Sequence, residues 1–183
     1  VRAQSRYPTE EAWRRPQEWQ SAASLENDMA KHVAVVEWAN GGEGFVKGRY
    51  SRAHSWTFDG GAVVRASSSP HSVPLPFSDP AGVDPEEALV AAASSCHMLW
   101  FLSLAAAKGF EITHYRDAAE GHMGRNARGQ VAVVRIVLNP AIRFQGRQPE
   151  PDELYALHEA AHEKCFIAAS LTAEVVVARP DAG

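Results

Sequence analysis

The chain reads as an α+β protein. Its β-type stretches fall into two groups, two helical stretches intervene, and no regular strand–helix alternation marks a doubly wound parallel sheet. The 183 residues fit one domain, and 45% hydrophobic with 22% charged residues excludes wholesale disorder. A net charge of −4 leaves no basic field to draw nucleic acid or an anionic membrane. Neither partner is expected. The longest apolar run, Ala88–Ala93, is far short of the roughly 20 residues of a membrane span. Val1–Gln4 has no apolar stretch behind its charges, so no secretory signal is expected and a cytoplasmic location is. In a reducing compartment the two cysteines, Cys96 and Cys165, read as free thiols or redox partners rather than staples.

Residues 1–28 carry scattered Arg and Glu, Pro8 and Pro16, and no sustained period. They read as an N-terminal extension: either a poorly ordered segment upstream of a natural start at Met29, or an extension that packs on the domain through Trp13 and Trp19. The domain itself spans 29–183. Val33–Ala39 is the first strand and ends in a glycine-rich turn; Phe45–Tyr50 continues extended. His54–Phe58 and Ala62–Ser67 form a hairpin around Asp59-Gly60-Gly61. The loop Ser68–Val83, with four prolines, is long enough to be functional.

Asp84, Pro85 and Glu87 mark a helix start, and Lys108-Gly109 its stop. The helix Pro85–Lys108 is apolar or small almost all round from Leu89 to Leu104, so burial on most sides is expected. Strands follow over Glu111–Gly124 and Gln130–Phe144. A second helix runs from Pro151 to about Leu171, and a last strand covers Glu174–Ala178.

A thiol in the apolar interior of a helix has a raised pKa and is normally inert, so burial alone argues that Cys96 is core packing. Its neighbour His97 adds little, because adjacent helical residues point apart. Cys165 lies 69 positions on, and only the fold brings such a pair together. His158-Glu159-Ala160-Ala161-His162 matches the H-E-x-x-H of zinc peptidases. No third ligand stands at the expected distance, so a solvated His/Glu helix face is the expectation and no metal is. Phosphate-binding loops, dinucleotide fingerprints and G-x-S-x-G elbows are missing as well.

The segment Asp84–Cys96, with Glu86 ten positions before Cys96, resembles the cysteine helix of the OsmC/Ohr family of thiol-dependent hydroperoxide reductases. His162-Glu163-Lys164-Cys165 resembles that family's second cysteine helix, and the order of elements from Val33 to Ala178 also fits. The resemblance implies an OsmC-like fold: antiparallel sheets packed on a long buried central helix and a second helix, in an intertwined homodimer. It implies a peroxidase that reduces organic (fatty or aryl/alkyl) hydroperoxides to alcohols without any cofactor. Cys96 would be the peroxidatic thiol and Cys165 the resolving one, forming a disulfide that a dithiol such as a lipoyl-protein or thioredoxin-like partner reduces. Glu86 matches the family's active-site Glu; its Arg comes from the early strands, with Arg52 the first choice and Arg49 the second. A redox sensor or binding protein of the same fold, with little turnover, is the alternative.

Two departures bear on substrate preference. Phe166 stands where the family often has Pro, and His97 where an aromatic residue often follows the first cysteine. A permanent guanidinium charge fits the need of a buried thiol to ionise, and Trp100, Phe101 or Phe77 would line an apolar pocket. Ten helical residues separate Glu86 from Cys96 by about 15 Å of axis. Unless the helix starts later or bends, Glu86 then serves the Cys96 of a second chain, across an interface of well over about 2,000 Å².

Overall fold

The computed structural model describes residues 30–42 and 44–178. The expectations for residues 1–28 and Met29 lie outside the described residues. From the N-terminus, β1 (Ala34–Glu37), β2 (His54–Phe58) and β3 (Val63–Ala66) form an antiparallel sheet in that order. Phe45–Lys47, expected to be extended, is instead a single 3-10 turn. Gly44 (φ 99°) and Gly48 (φ 71°) bracket it in the left-handed region, which reverses the chain where a strand would have continued.

The helix α1 spans Pro85–Ala107 without interruption. Asp84 and Glu87 satisfy each other's backbone N–H groups in a full capping box, with Pro85 in the first turn. Its buried residues Ala93, His97, Phe101 and Ala105 recur every fourth position, one line along the helix. The opposite side is open: Ala91, Ala92, Ser95, Leu99 and Ser103 are exposed, Leu99 by 61%. Burial on most sides is therefore not met within one chain. α1 is also long and apolar enough, by length and composition, to cross a membrane, contrary to the reading from apolar runs alone. Here it packs against a second helix and two sheets.

The two long strands expected after α1 are each broken into two. β4 (Glu111–Asp117) pairs with β7 (Pro140–Gln145), while β5 (Glu120–Arg125) pairs with β6 (Val131–Leu138). Both breaks fall at one level because Asp117 and Asn139 lock together. Asn139 N–H donates to Asp117 Oδ1 at 2.6 Å, and its side chain donates to Ala118 O at 3.0 Å. Pro140, next in the chain, has no N–H to continue a ladder. Close to this corner Gly121 faces α1 so tightly that a Cβ there would stand 2.5 Å from Val90 Cγ2.

The second helix ends sooner than expected: α2 covers Pro151–Lys164, Cys165 adopts an extended conformation, and α3 resumes over Phe166–Ser170. β8 (Glu174–Val177) then joins β6 in parallel, an exception to the antiparallel pattern that follows from returning through the α2–α3 crossover. Two clusters close around α1. Phe101, Ala105, Phe110, Leu157 and Ala161 form one under the β4–β7 sheet, and Ala93, Ile136, Leu138 and Val175 form the other.

Candidate active site

The fold brings Cys96 and Cys165 together. Cys165 terminates α2 and caps α3, its Sγ accepting the Ala168 N–H at 3.4 Å. Cys165 is 1% exposed, and its thiol lies close enough to the Cys96 thiol, in the middle of α1, to interact with it. Burial pushes the Cys165 thiol upward from its ordinary pKa; the Ala168 N–H offsets part of this, and Cys96 adds to it. Both cysteines are free. The kink at Cys165 needs no proline, since an extended backbone at that one residue is enough to turn the thiol into the first turn of α3.

Arg52 and Glu86 lie elsewhere. Both line a cavity of about 470 Å³ at the N-terminal end of α1, with Val36, Trp38 and Tyr50 on one side and Ser68 on another. The Arg52 guanidinium donates to Gly48 O at 3.0 Å and Tyr50 O at 2.6 Å, and stacks 3.8 Å from the centroid of Tyr50. Its backbone N–H donates to Phe77 O. Arg49 is not among the lining residues. Neither cysteine lines this cavity. Because α1 is continuous from Pro85, Glu86 and Cys96 stay about 15 Å apart along its axis. One chain thus holds the two halves of the expected site separately.

Of the apolar residues expected beside the thiols, Phe101 is fully buried in the core. Trp100 packs edge-on against Phe166, with Lys164 over its ring. Phe77 lies near Arg52, not near the cysteines. His158 is not on a solvated face: it is buried and bonded to His97. No group of three or more His, Cys, Asp or Glu is arranged to hold a metal ion among the described residues. Two features escaped the sequence reading. The aromatic cluster Trp38, Phe45 and Tyr50, with ring centroids 4.7–5.5 Å apart, has no periodic signal because a turn assembles it. The His97–His158 contact joins residues 61 apart.

A family model described as OsmC-like protein matches residues 78–178, more than half of the chain, from the end of the proline-rich loop to the last strand. The chain belongs to the OsmC-like family. An OsmC-like protein of unknown function from Vibrio cholerae is 49% identical and superimposes with a TM-score of 0.80, over 82% of this chain and 99% of that one. An organic hydroperoxide resistance protein from Elizabethkingia anophelis shares the fold at 14% identity and TM-score 0.60, over 84% and 99% of the two chains. The organic hydroperoxide resistance protein OhrB of Bacillus subtilis does so at 14% and 0.56, over 81% and 96%. No curated protein matches the chain in sequence. In this OsmC-like chain the matched region holds Glu86 and both cysteines, whereas Arg52 lies before it.

Proposed function

We propose that the protein is a cysteine-based peroxidase that reduces organic hydroperoxides. The observation that carries this reading is the interaction of the Cys165 thiol, at the end of α2, with the Cys96 thiol of α1. The Cys96 thiolate attacks the terminal peroxide oxygen, the O–O bond breaks, and the alkoxide leaves as an alcohol after taking a proton. Cys96 is left as a sulfenic acid, oxidised by two electrons. The Cys165 thiolate then attacks the Cys96 sulfur, a disulfide forms, and hydroxide leaves as water. A dithiol, of the lipoyl or thioredoxin-like kind, returns both cysteines to thiols in a reducing cytoplasm.

Arg52 is assigned to hold the Cys96 thiolate and the peroxide by charge, and Glu86 to orient Arg52. Within one chain these groups stand apart from the thiols, so the reading includes a homodimer in which each Arg52–Glu86 cavity serves the partner's Cys96. The exposed face of α1 and the apolar surface of β1–β3 are the supporting observations. The aromatic wall of the cavity favours organic over hydrogen peroxide. A redox sensor is the second reading, favoured by the upward-shifted Cys165 thiol, since slow resolution lengthens the life of a sulfenic acid.

A dithiol-driven assay comparing cumene hydroperoxide with hydrogen peroxide separates the two. The enzyme consumes many equivalents of the organic peroxide, and Cys96→Ser consumes none. Cys165→Ser oxidises once and leaves a sulfenic acid on Cys96 that dimedone traps. Wild-type cycling by Cys165→Ser would sink the resolving role; a single turnover by the wild type favours the sensor.

A further inference from the structure

The region around the thiols buries two titratable side chains that the proposed reaction does not use. His97 is 1% exposed and His158 is 7% exposed. His97 Nε2 and His158 Nδ1 lie 3.0 Å apart, and the two rings are inclined by only 11°. One nitrogen donates and the other accepts, so a single proton fills the bond. Phe101 stacks on His158 at 4.4 Å between centroids. Burial lowers both imidazole pKa values to about 4; His162 adds to the shift at His97 and His97 adds to it at His158, while Asp117 opposes it at His97. The pair is therefore neutral at physiological pH.

The pair sits on the same two helices as the cysteines. His97 follows Cys96 in α1, and Cys165 lies seven residues, about two turns, beyond His158 at the end of α2. The two helices are thus joined at two rungs, one of imidazoles and one of thiols. We propose that the His97–His158 hydrogen bond is a pin that sets the rotation and separation of α1 against α2, and so the approach of the Cys165 sulfur to Cys96. His97 and His158 are positioning residues in this scheme, and it rests on the two-cysteine reading above.

The physical case is one of alternatives. An apolar pair of similar volume would fill the space but would tolerate sliding of one helix along the other. A shared proton does not, because displacement leaves two buried nitrogens without partners. Among the described residues His97 Nδ1 already lacks one, so the ring has no second bond there to fall back on. Disulfide closure is demanding in the same dimension: the sulfurs must come to about 2.05 Å with a torsion near 90°. A small displacement of the helices therefore registers directly in the rate.

Diamide tests the pin without peroxide chemistry. It takes two electrons and two protons from the thiols, is reduced to the hydrazine, and leaves a Cys96–Cys165 disulfide. In His97→Leu and His158→Leu, closure is expected to slow by about 10- to 100-fold. The thiol–disulfide equilibrium against dithiothreitol should shift toward the reduced form. His158→Asn, whose amide reaches the position of Nδ1, should recover most of the rate, whereas His158→Gln, one methylene longer, should not. The Asn/Gln pair carries the test should the leucine variants fail to fold, since both keep a polar side chain. Equal closure rates in wild type, Asn and Gln variants overturn the pin and leave peroxide turnover untouched. Peroxide turnover by a wild type that forms no Cys96–Cys165 disulfide overturns the two-cysteine reading and the pin together.

Discussion

From Asp84 to Ala178 apolar side chains close into two clusters around α1, while from Ala34 to Val63 most of them are exposed. In the second region Val36 is 64% exposed, Val63 67% and, in the turn between strands, Val46 92%. This N-terminal sheet touches the rest mainly through backbone: the Ala66–Val83 bridge, Ser67 N–H to Val83 O, and Arg52 N–H to Phe77 O. A three-stranded sheet needs a hydrophobic face packed on something. One region thus has a core of its own, although it leaves one face of α1 open, and the other presents a face without a core. The thiols belong to the region with a core and Arg52 to the one without. That division is the physical support for the proposed dimer, with the N-terminal sheet of each chain finding its core on the partner.

The contrast can be broken at Arg52. Arg52→Ala is expected to lower peroxide turnover by about 10²- to 10³-fold, the usual cost of removing one preorganised electrostatic group. The clusters around α1 should be unaffected, since among the described residues the Arg52 side chain hydrogen-bonds to Gly48 O and Tyr50 O, in its own turn. Steady-state kinetics alongside a urea melt checks both halves of this expectation. A loss of stability matching the loss of activity would make Arg52 a structural residue.

A smaller effect sharpens the other side of the comparison, because it belongs to the C-terminal region alone. His97 and His158 titrate near 6.5 when unfolded and near 4 when folded. Between those values the unfolded chain binds more protons, so stability is full above about pH 6.5 and is lost as pH falls toward 4. The loss is expected to be on the order of 2 kcal/mol for each histidine by pH 4.5. Urea midpoints at pH 7 and 4.5 measure it, and a His97→Leu, His158→Leu double variant should lose less over the same interval.

Much of this was legible in the sequence. The capping box at Asp84–Glu87, the glycine stop at Gly109 and the parting of strands into two groups rest on local rules, and all three stand. So does the likeness to the OsmC/Ohr family, carried by Glu86, Cys96 and Cys165 at their spacings. Sheet switching was hidden because nothing periodic marks it. Asp117 and Asn139 look like ordinary strand residues until the side chain of one takes the backbone N–H of the other. The kink at Cys165 was hidden too, since no Gly or Pro announces it. The His97–His158 pair is hidden for a different reason. Taken on its own helix, His97 has no partner in reach and His158 falls on a polar His/Glu face; only the packing of α1 on α2 makes them partners.

The claim on which the account turns is that Arg52 of one chain works on Cys96 of another. Co-expressing Arg52→Ala with Cys96→Ser, each inactive alone, measures it directly. In the mixed dimer one site then combines an intact Arg52 with an intact Cys96, and the other site carries both defects. The account predicts recovery of about a quarter of the wild-type peroxidase activity in a statistical mixture of twofold-symmetric dimers. Activity no higher than that of the two single variants, with mixed dimers demonstrably present, would contradict it and return the whole site to a single chain.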